Sequence, residues 1–482
     1  MKVKERHPLY QGLANIVGAG HVTDDDFACW ATIGGIGIEV PPESQLVGPP
    51  DIVVRPQSTE QVSRVMKLAQ RTSTPVTVAG AKSGIGGGHM PSEGVILLDM
   101  LDMDKVLDID EDSMVVWTQA GCTWSKMLTE LERKGLTTGF LGPCGNLSAA
   151  VGGGIALNSF GVNTPKYGHT GECVASLEVV LPTGEVIRTG TRSNQAANFT
   201  YRYLQGPDMA GLFIGGSGVF GVVTEAAFRI YDIPKYVEFT GFAFKSIEAA
   251  LEAMYRMQRR RYVIDGMMLV GETVKMMVPQ ADPETIALLA VAFDDNDERI
   301  VKIQKEVCDE IALQCGGQDC GPEIAQLVVS NKWGLATTMS MSYGNAMECV
   351  VPTSTMNALR GRVKACLEHA AAHAPDLARV PHTDMPSNQC FALVSQQAMV
   401  LVGYLGNFTP WDKKLRQKCY QIDRDFQYWR IKELGDCVYW IGHRGTEAVV
   451  ASWHPAYHEF LKKLKRTVDP NLILNRGILG LT

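Results

Sequence analysis

Three short stretches carry residues able to do chemistry. Residues 78–94 read "VAGAKSGIGGGHMPSEG", a glycine-dense loop that also holds Lys82, Ser83 and His89. Residues 166–172 read "KYGHTGE" and residues 440–448 "WIGHRGTEA", each with one histidine. Successive backbone N–H groups in a glycine loop form a nest for an anion. Without Cβ atoms the chain can lie close against a pyrophosphate. Histidine titrates near neutral pH and can act as a base, and Arg444 offers paired N–H donors to a carboxylate or phenolate. Each feature has a plainer alternative: a surface turn for the glycines, a solvated loop histidine for His169, an interface ion pair for His443 and Arg444.

The flanking elements decide which phosphate binder the glycine loop resembles. A P-loop needs glycine directly before Lys-Ser/Thr, whereas Lys82 and Ser83 follow Ala81. A dinucleotide fingerprint runs from a strand into a helix. Here "VTVA" precedes the loop and "VILLD" follows it, so both neighbours read as strands. The loop is therefore expected to bind phosphate through backbone N–H groups between two strands.

Upstream, Ser58 and Gln61 suggest a capping box, and Val62, Val65, Met66 and Ala69 recur at helical spacing as far as Pro75. "MVVWTQAG" reads as a strand and "WSKMLTELERKG" as a helix stopped by Gly135. A second glycine cluster, "GPCGNLSAAVGGGIALNSFG", precedes a hairpin that turns at Pro182-Thr183-Gly184. A third, "GLFIGGSGVFGVVTE", closes the region near residue 231. From residue 234 glycine thins out and amphipathic helices such as "SIEAALEAMYRMQRRR" and "MNALRGRVKACLEHAAAHA" alternate with apolar runs. The boundaries expected are an N-terminal extension over 1–45, a glycine-rich domain over 46–233, a second α+β domain over 234–430 and a C-terminal segment over 431–482.

With 482 residues the chain has room for two or more cores. A net charge of −7 provides no basic field for a nucleic acid. No apolar run approaches the ~18 residues of a membrane span, and the first residues lack an apolar signal core, so a cytoplasmic address is expected. Twelve cysteines are scattered with no CxxC pair. "CGGQDC" is the tightest spacing and falls short of a metal motif, so no metal site is expected.

The order of these motifs resembles the FAD-linked oxidase superfamily, the vanillyl-alcohol-oxidase/PCMH-type flavoproteins. The stretches that carry the likeness are "VRPQSTEQVSRVMKLA", "GAKSGIGGGHMPSEGVILLDM", "SAAVGGGIALNSFGVNTPKYGHTGECVASLEVVLPTGEVIRTG", "GLFIGGSGVFGVVTE" and "DPNLILNRGIL". The resemblance implies an α+β fold: a two-part PCMH-type FAD-binding domain, an α+β cap and a C-terminal return to the FAD domain. It implies that Gly80, Ala81, Lys82, Ser83, Gly84 and Ile85 wrap the pyrophosphate, with Gly86, Gly87 and Gly88 beside them. Pro143, Gly145, Ser148, Gly152, Gly153, Asn158 and Tyr167 would line the flavin and ribityl chain. Val222 and Val223 would offer backbone groups, and Asn475 would stand beside the flavin. Neither His89 nor Cys144 matches the spacing of the family's covalent links, so non-covalent FAD is expected.

Such an enzyme takes hydride from a CH–OH or benzylic donor onto flavin N5 and often needs a base. The resemblance puts His169 where one branch has an acidic residue beside the ring, and His443 and Arg444 where relatives bind substrate. The lactate/glycolate branch carries a cap motif near "GHxGDGNxH" and a late "EHG", whereas this chain has "VGYLGNFTP", with Tyr404, and "IGHRGTE". The absent cap histidines argue against a metal-assisted mechanism, and "TPKYG" and "GEVIRTG" lean toward phenol-type members. The alternative function is an FAD-carrying electron-transfer subunit of a larger redox complex. The electron acceptor (oxygen, quinone or protein carrier) is left open, and family habit suggests a homodimer or larger.

Overall fold

The computed structural model describes residues 6–33, 47–84, 86–143, 148–270, 274, 282–330, 343–352, 389–393, 398–408, 425, 428–435, 437, 441–443 and 445–482. The expected helix over "MNALRGRVKACLEHAAAHA" lies outside them.

The first sheet is built around a βαβ unit. Strand β1 (Val22–Thr23) pairs antiparallel with β2 (Ile52–Val54), which runs parallel to β4 (Ile96–Asp99), and β4 is parallel to β3 (Val76–Ala79). Helices α1 (Tyr10–Val17) and α2 (Asp26–Trp30) precede β2, and α3 (Thr59–Thr72) makes the crossover. The residues of α3 singled out by spacing, Val62, Val65, Met66 and Ala69, are all buried in this core. Ser58 accepts the Gln61 N–H as a cap should, but the Gln61 side chain returns to the Gln57 N–H, one residue earlier than a capping box predicts.

The second sheet is antiparallel, in the order β5 (Val106–Asp110), β6 (Val115–Gln119), β10 (Val222–Arg229), β8 (Val174–Val180), β9 (Val186–Arg188). Strands β8 and β9 are the expected hairpin, with Gly184 at φ +91° in its turn. Helix α4 (Trp124–Glu132) seals this core with Trp124, edge-on to Phe140 and Phe228. Strand β7 (Leu136–Thr137) pairs with β11 (Tyr231–Asp232). Between β7 and β8 lie three short helices, α5 (Val151–Leu157), α6 (Thr164–Tyr167) and α7 (Thr170–Cys173); α8 (Ala210–Phe213) precedes β10.

From Tyr236 a seven-stranded antiparallel sheet forms a separate layer. It comprises β12 (Tyr236–Phe244), β13 (Asp265–Val270), β14 (Ala287–Asp295), β15 (Gln318–Asp319), β16 (Tyr343–Pro352), β17 (Gln389–Leu393) and β18 (Ala398–Phe408), in the order β15-β12-β14-β13-β17-β18-β16. Helices α9 (Ile247–Gln258) and Glu298–Gln314 cover one face through Phe242, Phe244, Leu289 and Phe293. Against the other face pack helix Pro322–Ser330 and Phe160, an aromatic side chain contributed from just after α5. Tyr167 packs against both this core and that of the second sheet, and two cores that share a side chain cannot move apart without exposing it.

The chain end returns to the first sheet. Helix Pro455–Val468 is followed by a turn, and Val76 donates its N–H to the Ile473 carbonyl and accepts the Asn475 N–H across a parallel bridge to Leu474. The tail is fixed by a fully buried ion pair. The Lys465 ammonium donates to Asp469 at 2.7 Å and to the carbonyls of Val219 and Leu474, and Asp469 accepts the N–H groups of Ile473 and Leu474. Every polar bond the pair lost from water is thus replaced inside.

Candidate active site

The three glycine clusters meet. After β3 the first loop lies on α5: a Cβ on Gly80 would be 3.0 Å from that of Ala150, and one on Gly84 3.1 Å from Leu157. Ala81 and Ser83 lie between these contacts, half-buried. Lys82 takes φ +58°, and its ammonium turns to the buried carboxylate of Asp99, 3.3 Å away. Its charge is therefore held by β4, and the backbone of the loop remains for anion binding. Gly86 and Gly88 receive the chain at Gly442, where a Cβ would collide with the Gly86 carbonyl; Gly87 turns at φ +72°. Ile85 lies outside the described residues.

The second cluster forms α5. Gly152 packs on β6, where a Cβ would lie 2.9 Å from that of Ala120 and the Gly152 N–H donates to the Ala120 carbonyl at 2.7 Å. Gly153 is different: it is exposed, and a Cβ there meets nothing of the chain within 4 Å. The fold does not demand glycine at 153, whereas a group lying flat on the helix backbone does. Asn158 ends the helix at φ +48° and accepts the Gly171 N–H at 2.9 Å, tying α5 to the loop that bears His169. Pro143 bridges to Gly161 and Ser148 is exposed, while Gly145 and Cys144 lie outside the described residues.

Tyr167 lies tilted against Tyr231, with ring centroids 5.0 Å apart, over Gly139, where a Cβ would strike its ring. Burial, then the nearby Asp294 carboxylate, pushes its phenol far above the ordinary value, so it stays protonated. His169 lies at the start of α7, where Glu172 accepts its backbone N–H at 2.6 Å and stands 3.5 Å from its Nδ1. The pairing lowers the Glu172 pKa, chiefly through the His169 hydrogen bond. That carboxylate beside its ring is the far end of a capping box at the start of α7, a local spacing that sequence reading passed over.

The third cluster supplies Ser217 and leads into β10. Val222 and Val223 pair with Val180 and Val179 on β8, but pairing with β6 begins only at Glu225. On that side their backbone lies beyond the ladder. Asn475 is buried at φ +46°. Its Oδ1 accepts the Val78 N–H at 3.0 Å and its Nδ2 donates to the Ser217 carbonyl at 2.8 Å. Its amide therefore clamps β3, just before the first loop, to the third cluster.

His443 sits beside this clamp. Its Nε2 lies 3.2 Å from the Met90 carbonyl, and its Nδ1 is buried with no partner among the described residues. Burial lowers its pKa below the usual 6.5, so the ring is neutral near neutral pH. A carbonyl only accepts, so Nε2 carries the proton and Nδ1 keeps a bare lone pair. Arg444 lies outside the described residues, as does the side chain of Tyr404. Sequence reasoning passed over Ser217; the one visible signal was a serine inside "GGSG".

A backbone cradle with free space before Gly153, together with a buried imidazole nitrogen that has no partner among the described residues, fits a flat phosphate-linked cofactor. The comparisons name it. The description "FAD binding domain" matches residues 50–190, and "FAD linked oxidases, C-terminal domain" matches residues 233–374. The chain belongs to the FAD-linked oxidase superfamily. It is an FAD-dependent oxidoreductase, with the α+β architecture that the glycine motifs implied.

The chain is 25% identical to a D-lactate dehydrogenase of Anaerostipes hadrus over 89% of each chain. It is 31% identical to a glycolate oxidase subunit of Bacillus subtilis over 42% of each, chiefly one domain's worth. In fold it matches 4-ethylphenol oxidase from Gulosibacter chungangensis, at a TM-score of 0.80 and 15% identity, over 98% of this chain and 96% of that one. A further sequence relative, 27% identical over 51% of this chain, is an alkyldihydroxyacetonephosphate synthase of Dictyostelium discoideum, while the likeness to the phenol oxidase is one of fold alone. No described helix is long and apolar enough to cross a membrane.

Proposed function

We propose that this protein oxidises a small 2-hydroxy acid to the corresponding 2-oxo acid. FAD supplies the hydride acceptor. The backbone of residues 80–88 holds its pyrophosphate, and Gly153 leaves room for it against α5. His443 takes the hydroxyl proton on Nδ1 while its Nε2–H stays on the Met90 carbonyl. Arg444, next in sequence, has the paired donors a carboxylate needs. Tyr167, held protonated, walls the site without competing as a base.

The observation that carries this reading is the neutral His443 ring with one buried nitrogen open, fixed against the pyrophosphate loop. The substrate class is supported by the D-lactate dehydrogenase relative, whose likeness extends over both domains. It departs from the leaning toward phenol-type donors, which rested on two short loops. A cytoplasmic site of action and oxygen, quinone or a protein as final acceptor are part of the same proposal.

An anaerobic screen of the FAD-loaded enzyme tests it. Glycolate, D- and L-lactate and 4-hydroxybenzyl alcohol are added in turn and loss of the flavin absorption is followed. Bleaching by a 2-hydroxy acid is expected, and admission of air then separates oxidase from dehydrogenase. Bleaching by the benzylic alcohol alone would overturn the substrate assignment.

A further inference from the structure

We propose that Ser217 is the positioning residue that sets the His443 ring for catalysis, an inference that rests on the base role assigned above. Ser217 is buried and takes φ +49°, between glycines at 215 and 218 that also have positive φ. Glycine would occupy this backbone at no steric cost, so what the serine adds at this φ is its hydroxyl contact. Each polar group of Ser217 reaches a different segment. Its N–H donates to Ala156 of α5 at 2.8 Å, its carbonyl accepts from Asn475, and its Oγ donates to the Ile441 carbonyl.

Ile441 is two residues from His443. The intervening Gly442 is seated against Gly86 and Gly88, and its carbonyl accepts the Thr446 hydroxyl. Both peptide units before His443 are therefore fixed by hydroxyl donors, one from each side. The Ser217 bond joins this segment to the second glycine cluster and to the C-terminal clamp. Without it, the Nε2–Met90 bond and the Thr446 hydroxyl on the Gly442 carbonyl hold the segment from one side alone, and Nδ1 loses its fixed aim. The Oγ makes no other bond among the described residues, so its deletion removes one restraint and leaves the cofactor loop intact.

The test compares Ser217→Ala and Ser217→Gly with wild type. Ser217→Gly relieves the backbone and so keeps the fold while deleting the hydroxyl. Two readouts are taken: the anaerobic flavin reduction rate with DL-lactate, and the ring-nitrogen NMR signature of His443 in the full-length apoprotein, assigned with His443→Gln. Both variants are expected to bind FAD as wild type does, to reduce it up to about a hundredfold more slowly, and to show averaged tautomers at His443 in place of one. Wild-type rates and a single tautomer in both variants, with His443→Ala slow, would refute the Ser217 contact alone. Full rates in His443→Ala as well would refute the base reading and with it Ser217's part in the reaction.

Discussion

The Lys166 ammonium reaches across from the FAD-binding domain to the Asp294 carboxylate on cap strand β14, 2.5 Å away. Asp294 is buried, its second oxygen has no partner among the described residues, and Lys166 remains about a third exposed. The pair stands beside Tyr167, so it joins β14 to the tyrosine proposed to wall the site.

Removing the lysine leaves a buried carboxylate uncompensated. Lys166→Met is expected to cost about 1–3 kcal/mol, between the values for exposed and buried pairs, and more than Asp294→Asn. Burial already holds the Asp294 pKa above 3.8, and loss of Lys166 raises it further. A carboxyl with a raised folded-state pKa loses stability as pH rises through that value. The Lys166→Met defect, read from urea midpoints, should therefore be larger at neutral pH than near pH 4. Equal defects at both would refute it.

Gly152 and Gly153 are neighbours with opposite roles. Gly153→Ala should stabilise the apoprotein by about 0.5–1 kcal/mol, since its Cβ enters free space on a helix, yet weaken FAD binding by about tenfold or more, ~1.4 kcal/mol. Gly152→Ala should destabilise by about 1–3 kcal/mol through overpacking on Ala120. Thermal melts and FAD titrations separate the two.

The elements around the site were readable because their signals are local. Hydrophobic spacing marked α3, and Gly184 marked the β8–β9 turn. The strands on either side of residues 80–88 excluded both helix-based phosphate loops before any fold was known. What escaped reading depends on distant pairing. Asn475 reads as a flavin-side amide, but Val78 and Ser217, hundreds of residues away, occupy both of its ends. Lys465 and Asp469 stand four residues apart with nothing local to mark them as buried, and only the returning tail buries them. Lys166 and Asp294 lie in different domains, with no periodicity to connect them. His169 and His443 were both candidates in the sequence, His169 the first; His169 has a carboxylate beside it and His443 has none among the described residues.

That buried tail pair gives a third prediction. Lys465→Met should lower stability by about 3–5 kcal/mol, because Asp469 would stay buried without its cation. Since Lys465 also holds the Val219 carbonyl, FAD affinity should fall with it. A variant with an unchanged urea midpoint would contradict the structural role of the pair.

His443 gives a pH signature. Its pKa lies below 6.5 and its neutral form is the base, so flavin reduction should hold at pH 6.5 and decline only at lower pH. A folded-state pKa below the unfolded one also means that stability falls as pH drops below 6.5. A rate that declines from well above 6.5 would contradict the buried, neutral ring.

Single-turnover anaerobic reduction of the FAD-loaded enzyme by DL-lactate, in wild type and His443→Ala, tests the central claim most directly. The prediction is equal FAD content, ready bleaching in wild type, and reduction slowed by roughly 10²–10⁴-fold in the variant, the range expected for loss of a general base. Equal rates in the two proteins, or a wild-type flavin that no 2-hydroxy acid reduces, would contradict it.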